Sequence, residues 1–321
     1  MASLLVLIIC LIISTISGTA DISLNQVYAA LTAYDGSREH LIVRTVRIPR
    51  SLIAIMVGAA LAVAGALMQG LTRNPLASPS ILGVNAGAAF AVVIATFIFG
   101  NNSLYVYAGF AFAGAGLSAI TVYTISSISR GGLTPLNLTI AGAAITAFIS
   151  AITSAILILS QKTLDEIRFW LAGSVAGREI NLLIQVLPYF ALGLILAFAL
   201  SRQITLLSLG EDVAKGLGVK TARIKILSAL SIILLAGGSV AVAGPIGFIG
   251  LIIPHIVRFL VGLDYRWILP YAAVFGAILL LVADILARIV LKPIELPVGL
   301  VMPLIGAPFF IYLIKLKVNK K

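Results

Sequence analysis

The sequence contains few charged residues. Only 10% of its 321 residues are Asp, Glu, Lys or Arg, whereas soluble domains carry about 25%. Hydrophobic residues account for 61% of the chain. This composition excludes an ordinary soluble domain and predicts a protein of the lipid bilayer.

The residue types that build catalytic and metal sites are also scarce. Cys10 is the only cysteine, so it cannot form an internal disulfide. The two histidines, His40 and His255, lie in different regions, and no Cys or carboxylate spacing is typical of a metal site. The sequence also lacks a glycine-rich loop ending in Gly-Lys-Ser or Gly-Lys-Thr, the loop that holds nucleotide phosphates. We therefore expect no catalytic constellation, no metal site and no cofactor bound by this chain.

Long apolar segments make up most of the chain. About ten of them approach the roughly 20 apolar residues that a membrane-spanning helix needs. They begin near Leu4, Leu52, Ile81, Tyr105, Leu138, Leu182, Ile224, Ile246, Ile268 and Gly299. None shows the alternation of outer-membrane strands. The predicted fold class is therefore all-α, a polytopic membrane protein with a single domain over residues 1–321.

Basic residues give the predicted orientation. With the N-terminus inside, more than half of the 22 Lys and Arg residues lie in inner loops or in the tail KLKVNKK. This bias is modest, but it follows the positive-inside rule for helical membrane proteins. We therefore expect both chain ends on the inner side.

The most charged short stretch lies between the sixth and seventh predicted spans, at about 203–225. Within it, three apolar residues recur at i, i+4 and i+8 and share one helical face: Leu209, Val213 and Leu217. Acidic residues suit the first turn of such a helix and glycines suit its end: Glu211, Asp212, Gly216 and Gly218. The pattern predicts a short amphipathic helix. It is either a solvated loop helix or a helix that docks in a groove of another protein.

Several segments of the sequence are together similar to one transport family. They read RIPRSLIAIMVGAALAVAGALMQGLTRNPLASPSILGVNAGA, FWLAGSVAG, LSLGEDVAKGLGV, GPIGFIGLIIPHIVR, ADILAR and ELPVGLVMPLIGAPFF, and they span Arg47 to Phe310. They resemble the permease subunits (the FecCD/BtuC-like family) that import iron chelates, haem and cobalamin with an ATP-binding-cassette ATPase. The resemblance implies the type II importer permease fold and a multi-pass protein of the inner, or cytoplasmic, membrane.

The resemblance also implies a set of partners. Two copies of the chain would form the pathway as a homodimer, with two ATPase subunits inside and one extracytoplasmic binding protein outside. ATP and Mg would be bound by the ATPase, so the chain itself would not be an enzyme. Iron-siderophore is the first choice of cargo, and haem and cobalamin remain alternatives. A secondary transporter is a further alternative, weakened because Asp284 is the only acidic residue well inside any span.

Site residues follow from the same resemblance. The charged stretch matches the loop that couples the permease to its ATPase, with coupling residues Leu209, Gly210, Glu211, Val213, Ala214, Leu217 and Gly218. Ala214 would let the ATPase approach closely. Three arginines match those that pair with glutamates of the binding protein: Arg47, Arg50 and Arg288. From the residues alone, the loop arginines could instead snorkel beside lipid headgroups, and Asp284 and Arg288, four apart, could satisfy each other.

Two further segments match the translocation pathway. The loop from Arg130 to Asn137 resembles the inner gate of the family, although Pro135 and Leu136 do not suit a polar gate. Trp170 would either mark the membrane interface, as aromatic residues beside charges do, or belong to a short outer helix at the mouth of the pathway. The candidate pathway residues are Pro135, Leu136, Asn137 and Trp170.

Overall fold

The apolar segments of the sequence form helices, because a backbone inside lipid must satisfy its own hydrogen bonds. The computed structural model describes residues 2–18, 20, 22–100, 103–129 and 132–318, and the regular structure of these residues is entirely helical. The helices are α1 (Ala2–Ile16), α2 (Leu24–Thr32), α3 (Arg38–Ile42), α4 (Ile48–Thr72), α5 (Val84–Phe99), α6 (Leu104–Ile128), α7 (Pro135–Leu159), α8 (Gln161–Leu171), α9 (Ile180–Ser208), α10 (Glu211–Gly216), α11 (Thr221–Ala243), α12 (Ile249–Val261), α13 (Tyr265–Ile289) and α14 (Val298–Val318).

The ten predicted spans correspond to α1, α4 to α7, α9 and α11 to α14. Among the described residues, six helices are long and apolar enough to cross a membrane: α4 with the helical turns before it, α6, α7, α9, α11 and α13. The apolar parts of α1, α5, α12 and α14 are shorter. The eighth span begins at Ile249 rather than near Ile246, because Gly244 (φ 71°) and Phe248 (φ 69°) hold the chain before it out of the helical conformation.

The centre of the bundle is α4, which is enclosed by α9, α11, α12 and α13. Its tightest crossings are at glycines, where Gly58 lies against the backbone of Gly276 and Gly65 against that of Gly250. A β-carbon at any of these positions would clash with a neighbouring helix. Lipid tails provide no hydrophobic force between helices, so close approach of small residues is what gives the bundle its packing contacts.

The helix α7 is covered least by the rest of the chain. Only 11% of its most apolar window is buried, against 78% for the corresponding window of α4. Its small residues meet a neighbour mainly at Gly142, which lies against the backbone of Ile81. Most of the surface of α7 is therefore left to lipid or to another protein.

Candidate functional site

A short helix, α10, forms in the charged inner loop, but it covers only Glu211–Gly216. The predicted single helical face is therefore wrong, because Leu209 lies before Gly210 at the end of α9 and Leu217 follows the last turn of α10. Glu211 and Asp212 occupy its first turn, which favours negative charge. Gly210 (φ 135°) precedes the helix, and Gly218 (φ 78°) follows it. Glycine adopts these positive φ values without steric cost, so the chain turns sharply at both ends of α10.

The three apolar residues of this loop are all exposed. Leu209, Val213 and Leu217 are 63%, 50% and 61% exposed, and we refer to them together as the apolar ridge. Ala214, expected to let a partner approach closely, is instead fully buried against its own chain. It therefore anchors α10 to the bundle, while the apolar ridge faces outward.

Glu211 ties the inner loop to two other parts of the chain. Its carboxylate forms an i, i+4 ion pair with Lys215 at 3.3 Å, but the closer partner is Lys225 of α11 at 2.7 Å. The Nζ atom of Lys225 also lies 3.5 Å from the carbonyl oxygen of Leu133, just before α7. Hydrogen bonding to Lys225, more than to Lys215, lowers the pKa of Glu211. The carboxylate is therefore held in its charged form at neutral pH.

The predicted gate segment forms the start of α7. Pro135 is its first residue, and the side chain of Thr134 accepts a hydrogen bond from the backbone N–H of Asn137. The amide of Asn137 donates to the carbonyl oxygen of Gly132 at 2.8 Å, and Leu136 is exposed. Arg130, where the predicted segment begins, lies outside the described residues. The polar side chains present here cap the helix, and a gating role stays a prediction.

A buried carboxylate lies at the predicted outer end of the bundle. Asp284 of α13 is fully buried and accepts hydrogen bonds from Arg50 of α4, at 2.9 to 3.1 Å, and from Arg288 of its own helix, at 3.0 Å from Nε. Arg50 also pairs with Glu295 at 2.6 Å. The predicted pair of Asp284 and Arg288 is confirmed. The bonds from Arg50 to Asp284 join residues 234 positions apart, and no local sequence pattern indicates them.

The arginines of this cluster also bind the end of α1. Arg288 donates to the carbonyl oxygens of Ser14 and Ser17, at 2.9 and 3.0 Å. Arg47 donates to those of Thr15, Ile16 and Ala20. The last carbonyls of a helix have no partner within it. The two arginines therefore cap α1 and fasten it to α4 and α13.

The expected exposed basic rim is absent at these positions. Arg47, Arg50 and Arg288 are 4%, 5% and 2% exposed, because each guanidinium is consumed by carboxylates or carbonyl oxygens of its own chain. Any role of these residues at a partner's surface must therefore be indirect, and it stays a prediction.

Trp170 lies at the end of the predicted short outer helix, α8. It is buried, whereas its neighbour Phe169 is exposed, so Phe169 and not Trp170 has the exposure of an interfacial aromatic residue. The indole lines a cavity of about 360 Å³ together with Tyr107, Glu166 and Arg178. This cavity opens near the predicted outer end of the bundle.

Known proteins similar to this chain identify its family. A model of the FecCD transport family matches residues 6–315. The chain belongs to the FecCD transport family. It is 52% identical to the iron(3+)-hydroxamate import system permease protein FhuB of Bacillus subtilis over 297 residues, covering 92% of this chain and 77% of that protein. It is 48% identical to the Fe(3+)-citrate import system permease protein YfmD of the same organism over 304 residues, covering 95% and 90%.

The FecCD fold is also shared with a solved structure. An inward-facing conformation of a metal-chelate type ABC transporter aligns over 98% of this chain and 97% of the solved chain, with 34% identity and a TM-score of 0.87. The predicted fold class, an all-helical importer permease, is therefore confirmed.

The buried cluster of this FecCD protein gives a test of stability. Asp284→Asn removes the charge that balances Arg50 and Arg288, and a buried unbalanced charge costs about 3–5 kcal/mol. We expect a clearly lower unfolding temperature for the purified protein in detergent. Asp165→Asn is the matched control. Asp165 is exposed, and its pair with Arg168 is long, at 3.7 Å, so losing this charge should cost little stability. Equal unfolding temperatures for the two variants would contradict the role given to Asp284.

Proposed function

We propose that this chain is the permease of an ATP-driven importer of an iron-siderophore in the cytoplasmic membrane. The observation that carries the proposal is the apolar ridge, which is exposed on and beside the short helix α10, while Ala214 of that helix is buried against the bundle. Relatives named for iron-hydroxamate and ferric citrate import support an iron chelate as cargo. Haem and cobalamin are the alternatives within the same mechanism.

A secondary transporter is the weaker alternative. Such proteins use an ion or proton site near the membrane midplane. Asp284 was the one acidic candidate inside a span, and its carboxylate is already shared by Arg50 and Arg288. A carboxylate balanced by two arginines has little remaining affinity for a coupling cation.

The proposed partners follow from the surfaces that the chain leaves uncovered. Two ATPase subunits, which would bind ATP and Mg, dock on the apolar ridges of two permease copies. Most of the surface of α7 is not covered by its own chain, so a second copy could pack against it. We therefore favour a homodimer. The binding protein docks at the outer end. There Arg47, Arg50 and Arg288 act by holding the ends of α1, α4 and α13 in place, and the cavity beside Trp170 opens to the pathway.

Movement of the ATPase could pass to the gate segment through the inner loop. Movement of α10 pulls on Glu211, whose carboxylate is bonded to Lys225 of α11. Lys225 in turn contacts Leu133, which lies in the proposed gate segment four residues before Asn137. One charged pair thus links the ATPase surface to the start of α7. This link lets a small displacement of α10 act on the gate.

Reconstitution tests the proposed function and the copy number together. The chain is placed in proteoliposomes as the only permease, with a candidate ATPase and binding protein. We expect ferric hydroxamate to stimulate ATP hydrolysis more than haem or cobalamin does, and native mass measurement to give two permease copies. A single copy with full uptake would refute the dimer. Activity only with a second, related permease would replace the homodimer by a heterodimer.

The apolar ridge gives a mutational test of ATPase docking. Leu217→Asp places an unpaired charge in the proposed interface, at a cost of about 3–5 kcal/mol. This corresponds to more than roughly a hundredfold weaker binding. We expect loss of both ATPase co-purification and uptake. Lys220→Asp, exposed in the same loop but off the ridge, is the control and should retain both. Wild-type co-purification with Leu217→Asp would show that the ridge is not the docking surface.

The pair of Glu211 and Lys225 gives a test of transmission. Lys225→Met keeps the apolar stem but removes the bonds to Glu211 and Leu133. We expect the ATPase to stay bound and to hydrolyse ATP, while uptake falls about fivefold or more, the scale of a lost coupling energy of about 1 kcal/mol or more. The measurement is the ratio of uptake to ATP hydrolysis in proteoliposomes.

Lys215→Met is the matched control for this test. Lys215 also pairs with Glu211, but it is more exposed than Lys225, and no contact with the segment before α7 is present among the described residues. Its loss should leave the ratio unchanged. Equal effects of the two variants would mean that the charge of Glu211, and not the link to Leu133, is what matters.

A further inference from the structure

A second cavity lies at the predicted inner end of the bundle, beside the apolar ridge. It measures about 370 Å³ and is lined by the ends of α4, α9 and α12 and by the start of α13. Two arginines line it, Arg73 and Arg258, together with Gln69, Thr205 and Tyr265. Leu209 of the apolar ridge forms part of the same wall. Nothing in the proposed coupling route uses this cavity.

Arg73 is held at the cavity by an uncommon backbone conformation. It follows the last residue of α4 with φ 48° and ψ 30°, a left-handed conformation that few residues other than Gly, Asn and Asp adopt. Its side chain is exposed and forms no hydrogen bond or ion pair with the part of the chain that the structure describes. Strained positions of this kind cluster at binding sites. The guanidinium is thus available to a ligand.

Arg258 reaches the cavity from the last turn of α12. Its guanidinium donates to the side-chain oxygen of Gln69, and no carboxylate pairs with it within the described residues. Asp264 also lines the cavity, but its carboxylate is paired with Arg266 at 2.7 Å and accepts from Thr205 at 3.3 Å. The hydrogen bond from the Arg266 side chain is the main cause that holds the pKa of Asp264 at about 2. The positive charge of Arg258 is therefore not balanced by this carboxylate.

Apolar side chains lie next to these arginines. Phe259 and Leu260 follow Arg258 on α12, and Leu263 and Trp267 flank the turn into α13, and all four are exposed. Exposed tryptophan is typical of the level of lipid headgroups. An anionic group bound by the arginines would thus have a hydrocarbon-compatible surface directly beside it.

We propose that this cavity binds the phosphodiester headgroup of an anionic lipid from the inner leaflet. Arg73 and Arg258 bind the phosphate oxygens, and the acyl chains lie along Phe259, Leu260 and Leu263. Basic pockets between the inner ends of membrane helices recognise anionic lipids in this way. A carboxylate of the ATPase would meet the same arginines but would leave the apolar flank of α12 unexplained. Since Leu209 lines the cavity, the bound lipid supports the base of the apolar ridge.

The test uses the full chain purified in detergent. Phosphatidylglycerol or phosphatidylcholine with the same acyl chains is added, and bound lipid is measured by native mass spectrometry and by the rise in unfolding temperature. We expect phosphatidylglycerol to bind more tightly. Arg73→Asn keeps a residue that tolerates the left-handed backbone, and should weaken this binding about fivefold, the effect of one basic residue. Arg73→Lys should restore most of it.

Arg223→Gln is the control, since Arg223 is exposed on the same side of the bundle and does not line the cavity. Its affinity for phosphatidylglycerol should equal that of the wild type. Equal affinity for the two lipids, or wild-type binding by Arg73→Asn, would overturn the proposal. The same stabilisation by inorganic phosphate would indicate a free-anion site instead. If Arg73→Asn kept the lipid but lost the ATPase, the cavity would be a protein contact. None of these results depends on the identity of the transported cargo.

Discussion

The outer end of this protein depends on one buried carboxylate shared by two arginines. Lipid offers no hydrogen-bond partner to a charged group, so each charge inside the bundle must find its partners within the chain. Asp284 is shared by Arg50 and Arg288, Glu295 gives Arg50 a second carboxylate, and the spare donors of Arg288, with those of Arg47, bind the carbonyls at the end of α1. Three helices that are distant in sequence are thereby fixed to each other. The arginines are better explained by this role than by an exposed rim.

The charged residues at the inner end are in contact with water, unlike those of the buried outer cluster. They lie at the surface, where water screens each pair and a single bond stabilises little. Glu211 and Lys215 are partly exposed, and only Lys225 is mostly covered. Pairs of this kind can break and reform at low cost, which suits a segment that has to move with a partner. In the proposed importer, the ATPase would cover the apolar ridge, which is exposed in the single chain.

Patterns within one helix could be predicted from the sequence, and contacts between distant helices could not. Periodicity predicted the apolar segments, a short helix in the charged inner loop, and the i, i+4 pair of Asp284 with Arg288. It did not predict that Gly210 would leave Leu209 outside α10. It carries no information on which helices meet. The bond of Arg50 to Asp284 joins residues 234 positions apart, and the contact of Lys225 with Leu133 also depends on tertiary packing. The burial of Trp170 and Ala214 was missed for the same reason.

The ion pairs at the two ends of the bundle differ in how much free energy it costs to break them. Breaking the outer cluster would leave unbalanced charges in an apolar environment, a cost of about 3–5 kcal/mol, whereas the exposed inner pairs cost about 0–1 kcal/mol each. A force applied at the inner loop therefore meets its weakest bonds close to the point of application. The glycine crossings of α4 with α12 and α13 bring helix backbones into direct contact, and such close approach is what packs membrane helices together. In the proposed importer, we therefore expect displacement to begin at the inner loop, beside the start of α7, while the bond of Arg50 to Asp284 keeps the outer ends of α4 and α13 joined.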